Sequence, residues 1–310
     1  MFASYRICRT AWLITVLCAI GWTLPVEAAE KGITPNEVFS EALQIEKEVD
    51  LLKRHYDITG VNPGVSVEAD VQFRHVWEKC YVILLKLSIF RRNHGLPGFA
   101  PLALEPNLDL NPNLNWAQTQ RILSEVMIIK KLLGIPGTVS PATLVQDKRP
   151  IDVFNKLEQI SYAMDLLNGS PVRPSDVYAE ALRVNEDVNS IMRKIGTLDT
   201  AVPPARNPNA QPVDSLNAAF VLLNEIQRLQ RQLGLDITDF SAFHKTDNVV
   251  PSDALNMVTL CIADLQVIKA RLGMWHQITP PAEFHEGKTP TEVVQLLGYV
   301  TAKLHLVKVQ

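Results

Sequence analysis

The chain has 310 residues, of which 47% are hydrophobic and 20% charged, and its formal net charge is −3. This balance argues against a general nucleic-acid binder and supplies no polybasic patch for anionic lipid. With 14 glycines and 20 prolines it is also no low-complexity or collagen-like chain.

Residues 1–28 read as a secretory signal peptide. Arg6 and Arg9 form the basic start, Ala11 to Leu24 the apolar stretch and Val26-Glu27-Ala28 the cleavage site. The apolar stretch is shorter than the roughly 20 residues that span a bilayer, and no later segment resembles a span. The expected location is therefore periplasmic.

From residue 33 onward the chain is punctuated by helix openings of one type. Thr34-Pro35-Asn36-Glu37 is the first, followed by Arg149-Pro150-Ile151-Asp152, Arg173-Pro174-Ser175-Asp176, Gln211-Pro212-Val213-Asp214, Val250-Pro251-Ser252-Asp253 and Thr289-Pro290-Thr291-Glu292. Proline suits the first helical position because its missing N–H has no intrahelical partner there. The acid two residues later sits among unpaired N–H groups at the positive end of the dipole. Threonine with glutamate, at Thr34/Glu37 and Thr289/Glu292, predicts a capping box.

After each proline, apolar residues recur in alternating three- and four-residue steps, as a packed helical seam requires. Val38, Ala42, Ile45, Val49 and Leu52 form the first seam, and Val293, Leu297, Val300, Leu304 and Val307 the last. Two weaker openings, near Ser66 and at Pro112, complete eight helices. Only Asn115, Thr119 and Ser215 are polar at seam positions.

The expected helix starts pair the first four with the last four at offsets of 139, 146, 139 and 140 residues. The connection Leu133-Gly134 to Val153 also lines up with Leu272-Gly273 to Val293. These features predict an all-α fold, an antiparallel helical repeat in which two tandem four-helix units of about eight long helices are related by internal duplication. The units span residues 33–171 and 172–310, joined tightly at Asn168 to Val172. The other connections are longer than a minimal bundle needs and rich in proline.

Chemistry is sparse. His276, Glu283, His285 and Glu286 in one loop are the best local metal ligands, but their spacing matches no helical ligand pair, and the simpler reading is solvated loop side chains. His94 and His244 hold the same place in both halves, after the second helix, and are candidate binding residues together with Trp275. His55, His75 and His305 read as surface or rim residues. The pairs Glu46/Glu48 and Glu186/Asp187 read as solvated charge, and Cys80 and Cys261 as small buried hydrophobes on the seam rather than a disulfide. Phe39, Phe154, Tyr178 and Trp116 cluster at helix starts, more simply as packing than as a cleft. No nucleophile elbow, phosphate loop or haem motif occurs, so no cofactor is expected. The reading is a non-catalytic exported scaffold that binds another envelope protein. The alternative is a periplasmic small-molecule sensor or binding protein with a cleft between helices or units, and the third reading is a metal-handling protein or enzyme that uses His276, His285 and nearby acids.

Overall fold

A computed structural model describes residues 32–60, 67–108, 110–169 and 172–309. The expected signal peptide lies outside them. Residues 33–310 form one compact unit of eight α-helices: α1 (Pro35–His55), α2 (Phe73–Asn93), α3 (Pro112–Leu132), α4 (Pro150–Asn168), α5 (Pro174–Ile195), α6 (Pro212–Gln232), α7 (Pro251–Arg271) and α8 (Pro290–Leu306). Among the described residues there is no strand. No helix is long and apolar enough to cross a membrane.

Seven of the eight helices start on proline. Six of those bond the N-cap N–H to the acid two residues after the proline, at 2.7–2.9 Å, from Thr34 to Glu37 through Thr289 to Glu292. The Thr34 hydroxyl completes its box by accepting from the Asn36 N–H at 3.2 Å. The Thr289 hydroxyl, like that of Thr34, also donates to the acid of its box, Glu292, at 2.6 Å.

The seams turn inward as expected. In every helix but α2, all five seam positions are at most 5% exposed. α2 begins at Phe73 rather than near Ser66, which is outside the described residues. Residues 67–72 serve as connection, and the Asn155 side chain ties the Val67 backbone through both its N–H and its C=O at 3.0 Å. The seam of α2 is accordingly Val76, Cys80, Ile83, Leu87 and Phe90, all buried. With the start at 73, the four offsets become 139, 139, 139 and 140 residues.

Each group of four helices closes a ring with the same neighbours. α1 and α2 each touch α3 and α4; α5 and α6 each touch α7 and α8. Within a ring, all helices run the same way. Pro174, Pro212, Pro251 and Pro290 converge at one end of the second bundle. In the first, Asn115 at the start of α3 bonds the Phe73 carbonyl at 3.1 Å, while Arg91 and Glu125 pair farther along at 2.6 Å. The antiparallel relation expected from the sequence applies between the bundles: on α2 and α7, Lys86 meets Ser252 and His75 meets Asp264.

The long connections explain the parallel rings. A helix of 21 residues rises about 30 Å, whereas 17 extended residues reach about 55 Å, enough to return along the rod. The α3–α4 connection does this beside α1: Val139 bonds Glu48, Val145 bonds Ser40 and Lys148 bonds Asn36. The α7–α8 connection descends α5 in the same manner, through Gln277 with Ser190, Thr279 with Asp187 and Lys288 with Ser175. Only the α4–α5 joint is too short to return, so there the chain reverses.

Parallel helices place like dipole ends together, which is unfavourable unless the ends are neutralised. This gives the repeated acid its role. The opposite ends carry Lys, Arg or His in the last turn of every helix except α4. Gly134 and Gly273, with φ of 65° and 72°, let the chain leave α3 and α7 in the left-handed conformation.

Candidate functional site

The most unusual chemistry lies where the bundles meet. α7 is buried on all sides, its outer face packed on α2 and reaching α4. The contact is lined by ionisable side chains. His75 is fully buried, not at the rim as its place off the seam implied. It takes the acid's position in the α2 opening: its Nδ1 accepts the Gln72 N–H at 3.0 Å. That leaves Nε2 to carry the proton and donate to Asp264 Oδ1 at 3.0 Å, so the ring is neutral. Burial, the largest influence, lowers its pKa. Burial alone would raise Asp264, but the bonds from His75 and the nearby Arg74 charge hold its carboxyl below the usual value.

Further along, Lys79 pairs with Glu158, which also accepts from Asn256 at 3.2 Å. Lys86 reaches Asp165, Ser161 and Ser252 at 2.7–2.9 Å. On α5, Glu180 accepts from the Tyr81 hydroxyl at 3.0 Å and from Arg183 at 2.6 Å, with the guanidinium 4.7 Å from the Tyr81 ring centre. Arg74, Lys79, Lys86 and Arg183 thus match Asp264, Glu158, Asp165 and Glu180 one to one. Glu78 is left without a base of its own. Its side chain is fully buried and neither oxygen makes a hydrogen bond. Burial pushes its pKa to about 8 against the pull of Arg183, so it is protonated at neutral pH.

A second kind of buried pair recurs at the 139-residue offset. Glu48 pairs with Lys130 in the first bundle and Asp187 with Lys269 in the second. Lys130 also donates to the Gly137 carbonyl at 2.8 Å and Lys269 to the Thr279 hydroxyl at 3.1 Å, each in the returning connection. Glu48 and Asp187 are therefore not solvated charges. Each sits on the helix side covered by that connection. Their neighbours Glu46 and Glu186 pair instead with Lys156 and Arg193.

The residues singled out from the sequence are scattered. His94 caps α2, stacked on Phe90 at 4.0 Å and tilted to Tyr56 at 5.2 Å. His244 is exposed beside Phe220 at 5.3 Å. Trp275 is 44% exposed. His276, Glu283, His285 and Glu286 are all exposed; His285 lies edge-on to Tyr178 at 6.1 Å, and Glu286 lies 4.0 Å from Arg173. No three His, Cys, Asp or Glu side chains among the described residues gather as a metal site. Cys80 and Cys261 are free and fully buried. Phe154 is core, while Lys148 covers Phe39 and Lys288 covers Tyr178, at 4.6 and 4.7 Å.

Two open features stand out among the described residues. A cleft of about 530 Å³ lies between the approaches to α2 and α4, lined by Glu68, Asp70, Gln72, Arg149, Asp152 and Asn155 among others. The outer face of α3 exposes Trp116, Met127, Ile128 and Leu132, at 36%, 48%, 43% and 47%. The chain matches no family model, no curated protein and no solved structure.

Proposed function

We propose that the protein is a non-catalytic helical scaffold, exported to the periplasm, which binds a protein partner in the cell envelope. One observation carries the reading: the outer face of α3, where four large apolar side chains are at least 36% exposed on a helix whose inner seam is fully buried. Leu102 and Leu108, 54% and 41% exposed, add apolar surface on the connection before it. Several large apolar side chains exposed on one helix make it a candidate interaction face. The ion pairs enclosed between the bundles support the non-catalytic part, since each of these bases is held against an acid inside the fold.

Affinity capture from envelope extract, with wild type and a Met127→Lys/Leu132→Lys variant as baits, tests it. Both positions are exposed, so the variant is expected to fold. A partner held by wild type and released by the variant supports the proposal; capture of nothing, or equal capture by both, overturns it. Cell fractionation tests the location.

The cleft at Arg149 favours a second reading, small-molecule binding, though its lining has no aromatic ring to sandwich a ligand. A metabolite that raises the melting temperature of wild type and not of Arg149→Ala would favour it.

A further inference from the structure

The two bundles meet through unlike faces. α7, third in its bundle, presents the ridge; α2, second in its own, receives it with α4 beside it. The corresponding third helix of the first bundle is α3, and the corresponding second helix of the second bundle is α6. Both turn the matching faces outward.

The match holds position by position. At the 139-residue offset, Asn113, Trp116, Gln120, Ser124 and Ile128 of α3 stand where α7 has Ser252, Leu255, Thr259, Ala263 and Val267. In order these are a small hydrogen-bonding side chain, a large apolar one, a polar one, a small one and a branched aliphatic. On α7 all five are buried against the first bundle or their own. On α3 four of the five are exposed and Gln120 is half-buried, with exposed Met127 and Leu132 on the margins of the arc. On the receiving side, Glu78 and Val82 of α2 correspond to Asn217 and Val221 of α6, both exposed. Ala218 stands where the internal groove has the charged Lys79, while Gly298, in the place of Glu158, lies under Pro204 of the α5–α6 connection, which forms that wall of the groove.

We propose that the partner of this scaffold is a second copy of the chain, the α3 ridge of one copy seating against α6 and the Pro204 edge beside α8 of the next, much as α7 seats against α2 and α4. This rests on the binding role proposed above and names its partner. Such a contact is heterologous: each copy keeps one free ridge and one free groove, and the assembly grows head to tail. The contact lacks the ion pairs of the internal seam. Asp214 and Glu125, which stand where His75 and Asp264 meet, are each held within their own bundle. Asp214 accepts from the Gln211 N–H at 2.7 Å and Glu125 from Arg91 at 2.6 Å. The contact is therefore weaker than the internal one and reverses on dilution.

Light scattering and sedimentation velocity on the purified protein, from micromolar to near-millimolar concentration, test the proposal. Wild type is expected to pass through dimer to larger species. A ridge variant, Ile128→Glu/Leu132→Glu, and a groove variant, Val221→Glu, each stay monomeric with unchanged circular dichroism. Mixed together, they form a dimer that grows no further, because the one intact ridge and the one intact groove are used in it and only the altered faces are left free. Wild type that stays monomeric throughout, that stops at a closed dimer, or that associates equally in both variants overturns the inference. A monomeric wild type whose envelope capture still depends on α3 removes this partner and leaves the scaffold reading intact.

Discussion

Glu78 should make the stability of this protein fall with rising pH, and Glu78→Gln should abolish that fall. Its folded pKa of about 8 lies above the ordinary glutamate value of 4.5. Below pH 4.5 the carboxyl is protonated in both states and nothing is lost. Between 4.5 and 8 the unfolded chain releases a proton that the folded chain keeps, so unfolding becomes easier with each pH step. At 1.36 kcal/mol per unit over that window the loss approaches ~5 kcal/mol, and above pH 8 it is complete. Burial is the main reason ionisation is unfavourable; Glu180 and Asp187 add to it, and Arg183, which pulls the other way, is already bonded to Glu180. Glutamine keeps the shape and removes the titration. Urea unfolding of both proteins from pH 5 to 9 should give curves that diverge, with the variant the more stable by several kcal/mol at pH 9. The two proteins differ only at this side chain, so the difference between the curves reports on Glu78. Parallel curves across the range would refute the assignment.

Other substitutions probe the rest of the frame. Asp187→Ala leaves Lys269 charged and buried, which should cost about 3–5 kcal/mol, whereas Asp187→Leu/Lys269→Met should recover most of it in denaturant unfolding; a double variant as unstable as the single would count against the pair. Gly298→Ala places a Cβ 2.8 Å from the Pro204 ring carbon. Overpacking of about 1–3 kcal/mol should outweigh the roughly 1 kcal/mol gained in helix propensity, and Pro204→Ala in the same chain should reverse the sign of the melting shift. Burial raises the thiol pKa of Cys80 and Cys261, so both should resist a thiol reagent in the native protein and react once it unfolds. Rapid labelling of either in the native state would contradict their placement.

The rods and their cores were legible because a single helix states its own needs. Pro150 with Asp152 marks a start, and Val153, Leu157, Ile160, Met164 and Leu167 mark a stripe that must leave water, whichever way the neighbours run. Helix direction is not written in that stripe. It is written in connection length, and Leu96 to Pro112 is long enough to return along a rod. The seam between bundles was hidden for a different reason. His75, Glu78, Lys79 and Lys86 lie off the apolar stripe of α2, where a charged residue on a two-sided helix ordinarily meets solvent. Their burial depends on a second set of charges, Asp264, Glu158 and Asp165, brought from as far as 189 residues away. No local pattern announces such a match. One trace was available: α7 reads Ala254-Leu255 through Val267-Ile268 with few charges on any face, the composition of a helix enclosed all round. A rod without a solvent face needs a second bundle to cover it. That requirement makes the polar groups on α2 a buried, paired interface, and it makes the uncovered face of α3 the place to look for what binds next.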